Sequence, residues 1–148
     1  RDLDGLVGSE MCIRDSTYII ETDNKTIAFF SVSNDRVAIS DSDKATWRKI
    51  KKLFPHAKHR SDYPAVKIGR LGVDKDFKGQ HIGSDILSFI KKLFVTNNRT
   101  GCAFITVDAL RSAIGFYTSN GFLVLDKSIE QDETRETCPL YYDLFQLI

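Results

Sequence analysis

Apolar positions along this chain follow two rhythms, and the switches between them mark its elements. Thr17–Thr26 reads as strand, turn (Asp23-Asn24-Lys25) and strand again, continuing through Ile27-Ala28-Phe29-Phe30-Ser31-Val32. Asn and Asp tolerate the left-handed backbone that a tight hairpin demands. Arg36–Ile39 extends the sheet. The period then becomes helical: Trp47, Ile50, Leu53 and Phe54 share a stripe with lysines outside it. That predicts a helix capped by Ser42 or Asp43, running to about Phe54 and stopped by Pro55. A strand follows over Ala65–Asp74. Val66 and Ile68 set one apolar phase and Leu71 and Val73 the opposite one, so a bulge or twist is expected around Gly69–Gly72. Beyond a glycine-containing loop at Phe77–Ser84, a helix carries Ile82, Ile86, Ile90, Leu93 and Phe94 on one stripe. Its Asp85, Ser88, Lys91 and Lys92 face water. Cys102–Val107 is nearly continuous in apolar residues, as a parallel strand buried on both faces would be. Asp108 is placed to cap the next helix and Gly121 to end it. Phe122–Leu125 and Pro139–Phe145 then return as strands on either side of the acidic stretch Asp126–Glu136.

A loop whose backbone N–H groups lead into a helix N-terminus is a ready site for a pyrophosphate. The run Lys78-Gly79-Gln80-His81-Ile82-Gly83 and its helix resemble the acyl-CoA pyrophosphate loop of the GNAT N-acetyltransferases. That family usually shows Arg/Gln-x-x-Gly-x-Gly/Ala there. Phe116-Tyr117, then three residues, then Gly121-Phe122 resembles the same family's final helix-to-strand signature. The resemblance implies an α/β (α+β) fold: a mixed, mostly antiparallel sheet with a splayed central parallel strand pair, flanked by helices. It implies acetyl-CoA as cofactor, with the diphosphate held by Lys78, Gly79, Gln80, His81, Ile82, Gly83 and Ser84. Leu71, Gly72 and Val73 would take the pantetheine arm and offer an N–H to the developing oxyanion, and Tyr117 would be the general acid. His81 stands where the family usually has glycine, and histidine is among the residues enriched at positive φ.

Read from the residues alone, Tyr117 also fits a packed core aromatic, and the strand irregularity an ordinary edge feature. Asp108 is a helix cap or a base acting through water, and no dedicated base stands out. An α-amine, with a pKa near 7.7–8.0 against about 10.4 for lysine, is the easier acceptor to serve without one.

The segments Gly69-Arg70-Leu71-Gly72-Val73-Asp74, Val107-Asp108-Ala109 and Phe116-Tyr117 are similar to one GNAT branch. Its members are toxins of toxin–antitoxin pairs that acetylate the α-amine of aminoacyl-tRNA. The branch implies an amine acceptor, tRNA and an antitoxin as partners; a homodimer is a further expectation. Net charge is only +1, but it is segregated. Lys44, Arg48, Lys49, Lys51, Lys52, Lys58 and Arg60 lie in a stretch free of acid, with His56 and His59 interleaved. Lys44–Arg60 suits a tRNA backbone, and equally a solvated helix face and basic loop. Two alternatives stay open: a GNAT acting on a protein or small-molecule amine, and a catalytically silent domain that binds acyl-CoA as a regulator.

With 148 residues, 42% hydrophobic and 28% charged, the composition is that of one ordinary globular domain. No apolar run approaches the roughly 20 residues of a membrane helix, and there is no signal-peptide pattern. Cys12, Cys102 and Cys138 form neither a disulfide framework nor a metal spacing, which points to a reduced cytoplasm and no metal. Leu6–Ser16 resembles the translation of a common transposase sequencing adapter. Residues 1–16 are therefore expected to be a non-native, disordered tract, and 17–148 an acetyltransferase domain lacking its N-terminal strand and helices.

Overall fold

The computed structural model describes residues 6–11, 15–55, 60–96 and 101–147. Cys12, His56, Lys58 and His59 lie outside the described residues. The strands are β1 (Leu6–Met11), β2 (Asp15–Thr22), β3 (Lys25–Ala38), β4 (Asp62–Val73), β5 (Phe104–Leu110), β6 (Leu123–Val124) and β7 (Thr137–Asp143). They form one sheet in the spatial order β1-β2-β3-β4-β5-β7-β6. Among the described residues only the β4–β5 pair is parallel. The helices are α1 (Lys44–Lys51), α2 (Ile82–Thr96), α3 (Ile114–Ser119) and α4 (Lys127–Gln131). No described helix is long and apolar enough to cross a membrane.

Local chemistry accounts for most of these boundaries. Asp23 and Asn24 take φ of 49° and 64° in the two-residue turn between β2 and β3, the backbone a twisted hairpin needs. Of the two candidate caps for α1, Asp43 serves: one carboxylate oxygen accepts the Thr46 N–H at 2.7 Å. Its other oxygen accepts the Lys127 N–H at 3.0 Å, joining α1 to α4. These two amides hold the Asp43 carboxyl below its ordinary pKa. α1 ends at Lys51, before Phe54. Leu53 lies past that end and is exposed, because residues 53 and 54 close with i→i+3 bonds as the chain approaches Pro55.

The sheet separates two cores. Against α2 lie Phe30, Val66, Ile68, Ile105 and Val107. Against Trp47 and Ile50 of α1 lie Val37, Tyr63, Ala65, Phe104 and Tyr141. β5 is thus buried on both faces, as its continuous apolar run predicts.

Three expectations need correction. Leu6–Met11, expected to be disordered, pairs antiparallel with β2. The N–H and C=O groups on that side of β2 pair with an adjacent extended segment whatever its side chains. Asp108 does not cap α3. β7 pairs with β5 as far as Leu110, and α3 begins only after a turn over Arg111–Ala113, its N-cap being Ala113. Asp108 remains in the strand and faces Lys67 at 2.6 Å. Lys91 does not face water: its ammonium donates to the Asn120 carbonyl at 2.6 Å and lies 4.1 Å from the Tyr142 ring centre.

Candidate active site

The site begins with one extra residue. Along β3 and β4, Ser31 pairs with Arg70 and Val32 with Ile68, leaving Gly69 as a bulge. Without it, Leu71 and Val73 would point away from Val66 and Ile68; with it, all four pack toward the α2 core. Ser31, buried beside the bulge, accepts the Arg70 N–H on its hydroxyl at 3.0 Å. A Cβ at Gly69 would come within 2.9 Å of that same oxygen. The parallel β4–β5 register runs from Ala65↔Phe104 to Ile68↔Val107 and ends there, at the bulge. Beyond it the two strands part.

A cleft of about 590 Å³ opens at this fork. It is lined by Tyr117 and by every cofactor-binding residue singled out from the sequence except Gln80, which is exposed. The lining also includes Phe77, Ser112, Ala113 and Phe116. Phe77, Ser112 and Ala113 carry no motif of their own, and only their position beside Lys78 and before the Phe116-Tyr117 pair pointed to them. Asp74 shapes the approach, its carboxylate accepting the Asp76 N–H and its carbonyl the Phe77 N–H. Gly79 and His81 both take left-handed backbone, with φ of 82° and 61°. His81 therefore takes left-handed backbone at the place where the resembled motif usually has glycine. Its carbonyl accepts the Asp85 N–H at 3.0 Å, so α2 starts here. The N–H groups of Ile82, Gly83 and Ser84 head the helix, where the backbone supplies no intrahelical acceptor. Gly83 sits against α3, and a Cβ there would lie 3.0 Å from Phe116 Cζ.

Tyr117 closes the other side of the cleft. It is 7% exposed, edge-on to Phe116 and Phe122 at 5.1 and 5.4 Å between ring centres. Burial pushes its phenol pKa above the ordinary value, so the hydroxyl keeps its proton at neutral pH. Arg111, ahead of α3, donates to the carbonyls of Ile129, Glu130, Asp132 and Arg135. It fastens the α4 segment to the start of the segment carrying Tyr117.

The opposite face of the same fork holds a second, polar cleft of about 490 Å³. Thr106 donates to Asp35 at 2.5 Å and Lys67 faces Asp108 at 2.6 Å within it. The hydrogen bond to Asp108 raises the Lys67 pKa against the opposing effect of burial. α1 packs on this face, with Lys44, Arg48, Lys49 and Lys52 exposed.

A family profile described as "Acetyltransferase (GNAT) domain" matches residues 14–124. No curated protein matches the chain. Among solved structures, AtaT complexed with acetyl-methionyl-tRNAfMet is similar with a TM-score of 0.68 and 18% identity, over 90% of this chain and 73% of that one. A tyrosine-to-phenylalanine variant of KacT is similar with a TM-score of 0.65 and 21% identity, over 90% and 75%. A tyrosine-to-phenylalanine variant of the AtaT toxin, bound to the C-terminus of the antitoxin AtaR and acetyl-CoA, is similar with a TM-score of 0.60 and 18% identity, over 90% and 69%. At these identities the likeness is one of fold.

Proposed function

The chain belongs to the GNAT acetyltransferase family, and from that premise we propose that it moves an acetyl group from acetyl-CoA to a primary amine, the α-amine of aminoacyl-tRNA. The observation that carries this reading is convergence. Residues far apart in the chain, chosen on motif grounds, line one cleft where the parallel strands part.

The cleft fits the donor. The N–H groups at the start of α2, which have no intrahelical acceptor, the left-handed turns at Gly79 and His81, and the Lys78 ammonium suit a diphosphate. Gly83 lets α2 approach Phe116 of α3 closely at the edge of this cradle. Leu71–Val73, past the end of the parallel register, offer strand hydrogen bonds to the amides of a pantetheine arm. Acetyl-CoA supplies a thioester acyl carbon to the fork. One β4 N–H polarises its carbonyl, a kind of donor worth on the order of 10²–10³ in rate. Tyr117 holds the proton that the departing sulfur requires.

The acceptor amine approaches from the polar face, past Lys67 and Asp108. An α-ammonium finds carboxylates there in Asp35 and Asp108, and its low pKa lets it shed its proton without a dedicated base. The exposed lysines and Arg48 of α1 flank that face and suit an RNA backbone. A protein antitoxin, such as AtaR is for AtaT, is the partner that accompanies this reading.

The test is to incubate the protein with acetyl-labelled acetyl-CoA and a translating lysate, then separate RNA, protein and small molecules. Label in the tRNA fraction that mild base releases as an acetylated amino acid is the expected result. Label confined to protein or small amines would overturn the tRNA acceptor and leave another amine acetyltransferase. No label, with acetyl-CoA still bound, would overturn the activity in favour of a silent binder.

A further inference from the structure

Tyr117 sits on a helix of only six residues, too short to hold its own position. Tyr117 also packs on Phe122 in the core, and the ties between α3 and α2 add to that packing in fixing where the phenol lies relative to the loop at the start of α2. Gly83 and Phe116 make one tie by close approach. Asn120, the C-cap residue of α3, makes a second. Its amide nitrogen donates to the Phe116 carbonyl at 2.8 Å and reaches Ser84 Oγ at 3.4 Å. Lys91 makes the third. Two turns along α2 from Ser84, it donates to the Asn120 carbonyl at 2.6 Å, at the negative end of α3. The ammonium also stands over the Tyr142 ring at 4.1 Å and near Phe122 at 5.8 Å.

An ammonium partly withdrawn from water is costly, and a methionine would fill the same space against Tyr142 and Phe122. What the lysine adds is a directional bond to a single carbonyl of α3. The geometry points to Lys91 as a positioning residue: through Asn120 it latches α3 to α2 and so sets the distance between the Tyr117 hydroxyl and the sulfur of the bound donor. This rests on the reading of Tyr117 as proton donor, and the test separates the two.

The experiment is a double-mutant cycle on the full chain, reading CoA release with the amine acceptor labelled above, and acetyl-CoA affinity by calorimetry. A misplacement of ~1 Å can cost on the order of 100-fold. Lys91→Met, which removes one of three ties, should lower kcat about tenfold while acetyl-CoA affinity stays within about twofold. In a Tyr117→Phe background the same substitution should cost nothing further, since there is no hydroxyl left to position. Lys91→Arg should recover most of the loss. Equal losses in both backgrounds would overturn the latch alone, as would full activity of Lys91→Met. An unimpaired Tyr117→Phe would overturn the proton donor and the latch with it. Should Lys91→Met fail to fold, Asn120→Ala in the same cycle reads the coupling from the α3 side, with the same outcomes deciding.

Discussion

Gly83→Ala is the substitution that separates folding from cofactor binding. Its methyl group would sit 3.0 Å from Phe116 Cζ and 3.2 Å from Cε1. That is about 0.5 Å inside ordinary carbon–carbon contact. Overpacking of this kind costs about 1–3 kcal/mol, and Phe116 is only partly buried, so its ring can pivot and the cost falls at the low end. Gly83 has ordinary helical backbone, and replacing glycine in a helix returns up to about 1 kcal/mol. The two effects nearly cancel, so the melting temperature should move by no more than a few degrees. The site has no such compensation. The methyl group faces Phe116, and a displaced Phe116 narrows the cleft that both residues line. Acetyl-CoA affinity should fall about tenfold, or about 1.4 kcal/mol. Titration calorimetry beside a thermal melt reads both quantities. Unchanged affinity would refute the loop as the diphosphate cradle, and a large drop in melting temperature would refute the cancellation.

Three further variants probe the rest of the site. Tyr117→Phe should slow turnover by about 100-fold or more with acetyl-CoA affinity unchanged, since proton transfer contributes on the order of 10²–10⁴. Because burial raises the Tyr117 pKa, the proton is lost only as pH rises through a value above that of an ordinary phenol, about 10. The wild-type kcat profile should therefore stay free of a tyrosine limb below that pH. Charge reversal at Lys44, Lys49 and Lys52 should weaken tRNA binding and flatten its salt dependence, by about one unit of slope for each phosphate no longer neutralised; unchanged slopes would remove α1 from the RNA interface. Ser31→Ala should destabilise the fold by about 1 kcal/mol, read from the urea midpoint, because it removes the hydrogen bond to the Arg70 N–H at the bulge.

The features legible in the sequence were those whose cause is local. The hairpin turn follows from Asp23-Asn24, and the left-handed backbone of His81 from the tolerance of its residue type. The bulge follows from two apolar phases that one straight strand cannot satisfy. What was not legible depends on partners distant in the chain. Thr106 and Asp35 meet from positions 71 residues apart, and Lys67 meets Asp108 from another strand, so no short motif marks the polar cleft. Lys91 looked solvated because a helical stripe reports only neighbours on its own helix, whereas its partner is a carbonyl delivered by α3. Asp108 looked like a cap because nothing local says that β7 holds β5 in strand geometry as far as Leu110.

The bulge is the point at which fold and chemistry become one argument. A single extra residue at Gly69 keeps Leu71 and Val73 on the same side as Val66 and Ile68, so the strand can continue without exposing its apolar face. The same residue coincides with the end of the parallel register at Ile68↔Val107. β4 therefore stays packed on one side while its edge toward β5 becomes available to a ligand. Had the register simply continued, the sheet would be more regular and both clefts would be closed off from each other by a hydrogen-bonded ladder. Opened here, the cleft with Tyr117 and the polar cleft with Lys67 and Asp108 face one fork from opposite sides. On the proposed reading an acyl group and an amine meet there without competing for the same entrance, and the two-sided opening depends on one buried hydroxyl, Ser31, and the amide it holds.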